Sequence, residues 1–187
     1  QSNDFPIVSS IIQPALKGVQ DGVVVKMDSD LSSIQWSSFW GGINNDAIYS
    51  LSFNSADEIF VCGGTKSSNF QTTANAYAST YIGGSVDAFI SRFSEDGSSL
   101  LNSTFFGSVE YDQAYFIELD ATDSVYIYGQ TLAPANTLIQ NAAFAEPNSG
   151  QFVAKFSEDL SIFLSKSLFS KRPFISEEKE IDSLDLK

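Results

Sequence analysis

The residues that could do chemistry in this chain are acids, because its 187 residues include 23 Asp and Glu, one cysteine and no histidine. The absence of histidine excludes His-dependent triads, Cys–His pairs and the commonest metal ligand in proteins. Paired carboxylates could still serve as general acid and base in a hydrolase, and carboxylate oxygens can bind Ca²⁺. The spacing of the acids therefore decides whether they form a site.

The acids recur at equivalent places along the chain, which favours a structural role. Asp28-Ser29-Asp30, Glu95-Asp96 and Glu158-Asp159 fall at corresponding points of an internal repeat and predict hairpin turns. Asp46 and Asp112 each precede a predicted strand. We expect them to order a loop by accepting backbone N–H bonds; Ca²⁺ ligation is the alternative, although their spacing matches no calcium loop.

Aromatic side chains are the second group with binding potential. Most of them sit at strand positions and predict packing between sheets, whereas Trp36 and Tyr111 lack aromatic counterparts in the other copies and are the candidates for an exposed ligand-binding platform. Cys62 lies in a strand-like run and is predicted to be a small core residue. The aromatic residues concerned are Trp36, Phe39, Trp40, Tyr49, Phe53, Phe60, Phe105, Phe106, Tyr111, Tyr115, Tyr126 and Tyr128.

An internal repeat positions all of these residues. Asp21–Thr65 aligns with Asp87–Thr131 at a constant offset of 66, with 12 of 45 positions identical, and Phe152–Asp159 repeats Phe89–Asp96 at an offset of 63. Each of the two complete copies carries four strand signals separated by turn residues, at 88–93, 101–106, 114–120 and 125–130 in the second copy. The pattern predicts an all-β fold of β-propeller blades, which are four-stranded antiparallel sheets, in an incomplete ring of about three blades.

The repeat also predicts the organisation of the chain. Residues 1–19 are assigned to the end of a preceding blade, 20–85 and 86–148 to blade repeats with their linkers, and 149–170 to the start of a third repeat. Residues 171–187 form a charged tail without strand alternation.

The repeat resembles the bacterial seven-bladed β-propeller repeat family, abbreviated SBBP. The resemblance rests on Asp87–Ser98, Ser103–Gly107, Ile117–Asp120, Val125–Thr131 and the linking piece Thr65–Thr73. Departures from the family pattern include leucine at positions 31 and 160 in place of the turn glycine. The resemblance implies a large secreted or cell-surface bacterial protein, of the sort exported by the type IX system, and it implies no catalytic residue.

The net charge of the chain limits the classes of partner that it can bind. The formal net charge is −13, so a phosphate backbone would meet a repulsive surface and nucleic acid is not an expected partner. No apolar run is long enough to span a bilayer, and no signal sequence is present in this chain.

We expect no cofactor and no enzyme activity. The prediction is a structural or interaction module for adhesion, assembly or secretion cargo, found outside the cell or on its surface, with protein partners or the remainder of a longer propeller. The alternative is a carbohydrate-binding or carbohydrate-degrading propeller protein.

Overall fold

The computed structural model describes residues 4–9, 12–134, 137–139, 141, 145–146 and 149–171, with side chains through residue 165. These residues form ten β-strands and no helix, so none of them belongs to a helix that could cross a membrane, and the predicted all-β class is confirmed. The strands are β1 (Gly22–Met27), β2 (Ile34–Trp40), β3 (Asp46–Phe53), β4 (Ile59–Thr65), β5 (Asp87–Phe93), β6 (Leu100–Phe106), β7 (Asp112–Leu119), β8 (Val125–Thr131), β9 (Ser149–Phe156) and β10 (Phe163–Lys171). Apart from Lys171, the predicted charged tail lies outside the described residues.

The strands form one two-stranded and two four-stranded antiparallel sheets. We call them the half-sheet (β1-β2), the central sheet (β3-β4-β5-β6) and the last sheet (β7-β8-β9-β10). Two complete blades and a partial one agree with the predicted incomplete ring. The four strands of one sequence repeat do not share a sheet, however, because β3 and β4 pair with the first two strands of the following copy. The interpretation of one repeat as one blade was therefore wrong about where each blade begins and ends, although the predicted strand positions are confirmed.

Turn geometry follows the predicted acidic hairpins. Gly97 has a φ of 66°, and its equivalents Leu31 and Leu160 adopt φ values of 59° and 56°. This left-handed region suits glycine, which lacks the Cβ that clashes there. In each turn an aspartate accepts a bond from the backbone N–H two residues later: Ser98 donates to Asp96, Ser32 to Asp30 and Ser161 to Asp159.

Apolar side chains alternate along the strands and fill the spaces between sheets. One buried cluster joins the half-sheet to the central sheet and includes Val24, Trp40 and Phe89. A second joins the central sheet to the last sheet and includes Phe60 and Phe152. The strand β7 lies across β3, β4 and β5, so adjacent sheets stack face to face as propeller blades do.

A linker covers the outer edge of both the half-sheet and the central sheet: residues 4–9 and 12–21 lead into β1, and residues 66–86 join β4 to β5. The amide of Ser37 donates to the carbonyl of Val8, and the amide of Phe39 donates to Gln13. Sixty-five residues later in the linker, Thr73 and Ala78 contact β6 in the same way. Because unpaired edge strands favour aggregation, this repeated contact protects the outer rim.

Candidate interaction site

Asp46 lies at the start of β3 and orders the loop before the strand, as the sequence predicted. Its side chain is buried, and it accepts bonds from the Gly42 amide at 2.6 Å and from the hydroxyls of Ser67, at 2.7 Å, and Thr65. Burial raises the pKa of this carboxyl, while those bonds favour its charged form. The backbone must approach closely here, since a Cβ at Gly41 would lie 2.9 Å from the Asp46 carboxylate.

Asp112 occupies the equivalent place at the start of β7. Its Oδ2 accepts bonds from the Ser108 amide at 2.6 Å and from the Ser108 hydroxyl at 2.8 Å. The same capping arrangement thus returns in the next sheet. Within the described part of the chain, no group of three or more acidic or cysteine side chains could hold a metal ion. Calcium binding at Asp46 and Asp112 stays the untested alternative, which a change in melting temperature on chelation would test.

Asp87 is a buried carboxyl that sequence reasoning noted only as a repeated residue. It is 0% exposed, and its Oδ2 accepts the Ile82 amide at 2.6 Å. Its Oδ1 is buried without a hydrogen-bond partner in the described structure. Burial, with a smaller contribution from nearby Asp112, raises the pKa of Asp87 to about 7. The signal in the sequence was its place at the head of a strand that is apolar on both faces, which predicts burial of the whole strand.

Trp36 is not an exposed platform. It is 5% exposed, and its indole N–H donates to the backbone carbonyl of Glu95 at 3.3 Å. The Gly97 turn closes over the indole, where a Cβ would lie 2.5 Å from the ring. Trp36 is buried because the turn of the central sheet covers the half-sheet, a contact between residues 59 positions apart that the local sequence does not reveal.

Trp36 does line the floor of an apolar groove of about 260 Å³, which we call the half-sheet groove. The groove lies between β1-β2 and the exposed face of β3, with the Lys26–Glu95 ion pair at its rim. Its lining residues are Val24, Val25, Lys26, Trp36, Leu51, Phe53, Asp57, Ile59 and Glu95. A groove of this lining can take apolar side chains and one acidic or aromatic contact at the rim.

Two aromatic residues predicted as core are exposed next to this region. Tyr49 is 46% exposed and Phe53 is 55% exposed, as is Leu51 at 50%. These side chains are exposed because the described part of the adjacent sheet does not cover them. Ile117 on β7, the equivalent of Leu51, is only 1% exposed because β3 and β4 lie over β7. Among the described strands, the half-sheet offers β3 no corresponding pair.

Tyr111, the other candidate for ligand binding, is half-buried at a different place. Its hydroxyl donates to Gln113 Oε1 at 2.7 Å and lies 3.5 Å from the Tyr115 hydroxyl. The Tyr115 ring in turn lies 5.5 Å from that of Tyr49. These tyrosines stand beside a small polar hollow of about 50 Å³ that includes Asn45. The structure therefore does not bring Trp36 and Tyr111 into one site.

Cys62 is confirmed as a core residue. It is 0% exposed, and burial raises the pKa of its thiol to about 12. A thiol held neutral in this way is a poor nucleophile.

The comparisons with known proteins do not assign a family to this chain. No protein-family model matches it, and the search of curated proteins finds no significant match.

Proposed function

We propose that this chain is a non-catalytic structural and interaction module made of β-propeller blades. The single observation that carries the proposal is the half-sheet groove, an apolar surface of the kind that mediates protein contacts. The acids support the same reading, because Asp46 and Asp112 have the same capping role in successive sheets. A catalytic pair would instead require acids that differ from one repeat to the next.

The parent molecule in this proposal is a secreted or cell-surface bacterial protein of the SBBP repeat type. The repeat motifs support that assignment, and the net charge of −13 suits a surface that meets proteins rather than nucleic acid. Its partners are other proteins or further propeller blades, in adhesion, in assembly or as cargo of the type IX secretion machinery.

Surface labelling of the intact source bacterium tests the proposal. A membrane-impermeant amine reagent should modify the native protein at exposed lysines such as Lys17 while a cytoplasmic marker in the same cells stays unlabelled. Labelling of this protein only after lysis would overturn the proposed location and, with it, the role in surface contacts.

A carbohydrate-binding or carbohydrate-degrading protein is the second candidate. The observation that favours it is the tyrosine cluster beside Gln113, since aromatic faces and amide groups together suit a sugar. Trp36 and Asp112 are buried and do not offer a sugar an exposed face. Binding to a glycan panel that is lost in Tyr49→Ala and kept in Trp36→Phe would support this candidate; no binding to any glycan would remove it.

A further inference from the structure

The third strand of each complete sheet has a neighbour on both sides. The strand β5 pairs with β4 and β6, and β9 pairs with β8 and β10. The strand β1 is the equivalent of β5 by the offset of 66, yet among the described strands it pairs only with β2. The position that β4 occupies beside β5 is therefore open beside β1.

The open edge continues into the half-sheet groove. In the last sheet, Ile117 is buried in one cluster with Phe60 and Cys62 of β4. The equivalent residue on β3 is Leu51, which is 50% exposed on the groove. The groove thus lies where side chains equivalent to Phe60 and Cys62 would pack if β1 had a strand like β4 at its side.

A basic residue recurs at the same position in successive sheets, and its contacts indicate which side chains the open position beside β1 would accept. The Arg92 guanidinium lies 5.4 Å from the centre of the Phe60 ring and forms ion pairs with Glu58, within its own sheet, and with Glu158 of the next. Lys155 makes the corresponding contacts within its own sheet. Its ammonium lies 4.7 Å from the Tyr126 ring centre and 3.1 Å from the Asp120 carboxylate.

Lys26 is the equivalent of Arg92 and keeps only part of this set. Its ammonium forms an ion pair of 2.7 Å with Glu95, the counterpart of Glu158. In the described structure Lys26 has no cation–π contact and no ion pair with an acid of its own sheet, although Trp36 lies opposite it in the register, and its side chain remains 35% exposed, compared with 15% for Arg92.

We propose that the edge of β1 and the half-sheet groove bind a β-hairpin of the β3-β4 repeat type, supplied by a further copy of this repeat, which completes the half-sheet. This inference rests on the proposed function and names the partner of the groove. The incoming strand runs antiparallel to β1 in the register of β4 against β5, so that its counterpart of Val61 lies opposite Val25. An aromatic side chain next to Lys26 and an acid in or beside the hairpin turn complete the cation contacts.

A peptide that carries the chain's own β3-β4 hairpin, residues 44–67 with Cys62→Ala, is the probe for this site. Added to the full chain, it should bind saturably and shift the fluorescence of Trp36, which lies in the groove. Hydrogen exchange at the amides of Val23 and Val25 should slow by about tenfold or more, because the peptide backbone pairs with them. A peptide of the same composition in scrambled order should do neither.

Variants of the full chain locate the binding surface. Leu51→Arg should weaken peptide binding by about tenfold or more, since a charge would be buried against the incoming strand. Ile162→Arg is the matched control: Ile162 is 58% exposed in the turn between β9 and β10, and the change should leave binding within about twofold.

Three results would overturn the inference: equal protection by the scrambled peptide, no protection of Val23 and Val25, or their protection without peptide in a dimer of this chain. The last result would identify a second copy as the occupant of the edge. The surface-labelling experiment is independent of all three, so failure of the hairpin inference would leave the proposed function standing or failing by itself.

Discussion

At the scale of single residues, the repeated turn shows how backbone conformation and burial together determine the effect of a side chain. The position of Gly97 requires a positive φ, and two other copies place leucine there at φ values of 59° and 56°. The two leucines differ in their surroundings, since Leu31 is 70% exposed and Leu160 is 0% exposed. Burial of the side chain compensates for backbone strain at Leu160, whereas the exposed side chain of Leu31 contributes no such burial.

Glycine at these two positions should therefore have opposite effects. Leu31→Gly should raise the free energy of unfolding by about 0.5 kcal/mol. Glycine relieves the strain of the left-handed conformation, and the greater freedom of glycine in the unfolded chain offsets part of that gain. Leu160→Gly should lower it by about 3 kcal/mol, because a buried side chain is lost from the core. Urea denaturation of both variants measures the two changes, and a loss of stability in Leu31→Gly would contradict the strain argument.

The buried carboxyl of Asp87 should make stability depend on pH. Because burial raises its pKa to about 7, from 3.8 as the ordinary value, the folded chain holds a proton that the unfolded chain releases. This contribution is fully present below pH 3.8 and is lost as the pH rises to about 7, by up to about 1.4 kcal/mol for each pH unit. Asp87→Asn should flatten the fall in unfolding free energy over that range.

Asp21→Asn is the matched control for this effect. Asp21 is the equivalent residue in the preceding copy, and both of its carboxylate oxygens accept hydrogen bonds, Oδ2 from Gln13 and Lys17 and Oδ1 from Gly18. Asp87 remains in that variant, so its contribution to the pH dependence should remain. Equal slopes for Asp87→Asn and the unaltered chain, in urea titrations at several pH values, would show that Asp87 does not carry it.

At the scale of the elements, adjacent sheets are joined by a repeated ion pair as well as by apolar packing. Lys26 and Glu95 link the half-sheet to the central sheet, and Arg92 and Glu158 link the central sheet to the last sheet. Only the second pair is reinforced within its own sheet, by Glu58. Their contributions to stability should therefore differ, although the sequence presents them as equivalent.

Alanine at the two basic residues measures that difference. Arg92→Ala should lower the free energy of unfolding by about 2 kcal/mol, since two acids lose a largely buried partner and the Phe60 ring loses its cation. Lys26→Ala should cost less than about 1 kcal/mol, because its pair is exposed to solvent. Urea denaturation under the same conditions compares them; equal losses would mean that the contacts within the sheet contribute little.

Over the whole molecule, stability should fall from the complete sheets towards the half-sheet. The amides of Ser37 and Phe39 face the linker, so by alternation those of Val23 and Val25 face the open side of β1. Their equivalents in β5, Phe89 and Ser91, face β4 instead.

Hydrogen exchange should reveal this gradient directly. In the chain alone, the amides of Val23 and Val25 should exchange faster than those of Phe89 and Ser91 by about a hundredfold or more, because no described strand pairs with them. Exchange measured residue by residue by NMR checks the prediction. Similar rates at equivalent positions would mean that β1 is paired on both sides in solution.

Much of this architecture was present in the amino-acid sequence. The strands of the second copy, predicted at 88–93 and 125–130, are observed at Asp87–Phe93 and Val125–Thr131. The acidic turns and the burial of Cys62 also followed from the pattern. These features depend on the alternation of side chains along a strand and on turn chemistry, both of which act over a few residues.

The tertiary structure decided which strands share a sheet and which side chains reach solvent. The strands β4 and β5 pair across a linker of more than twenty residues, so the repeat alone did not show that each sheet joins two successive copies. Trp36 is covered by a turn of the next sheet, while Leu51 is exposed because the described half-sheet lacks the two strands that would cover it. Exposure depends on neighbours that are distant in the chain, and this is why the groove, unlike the repeat, became visible only in three dimensions.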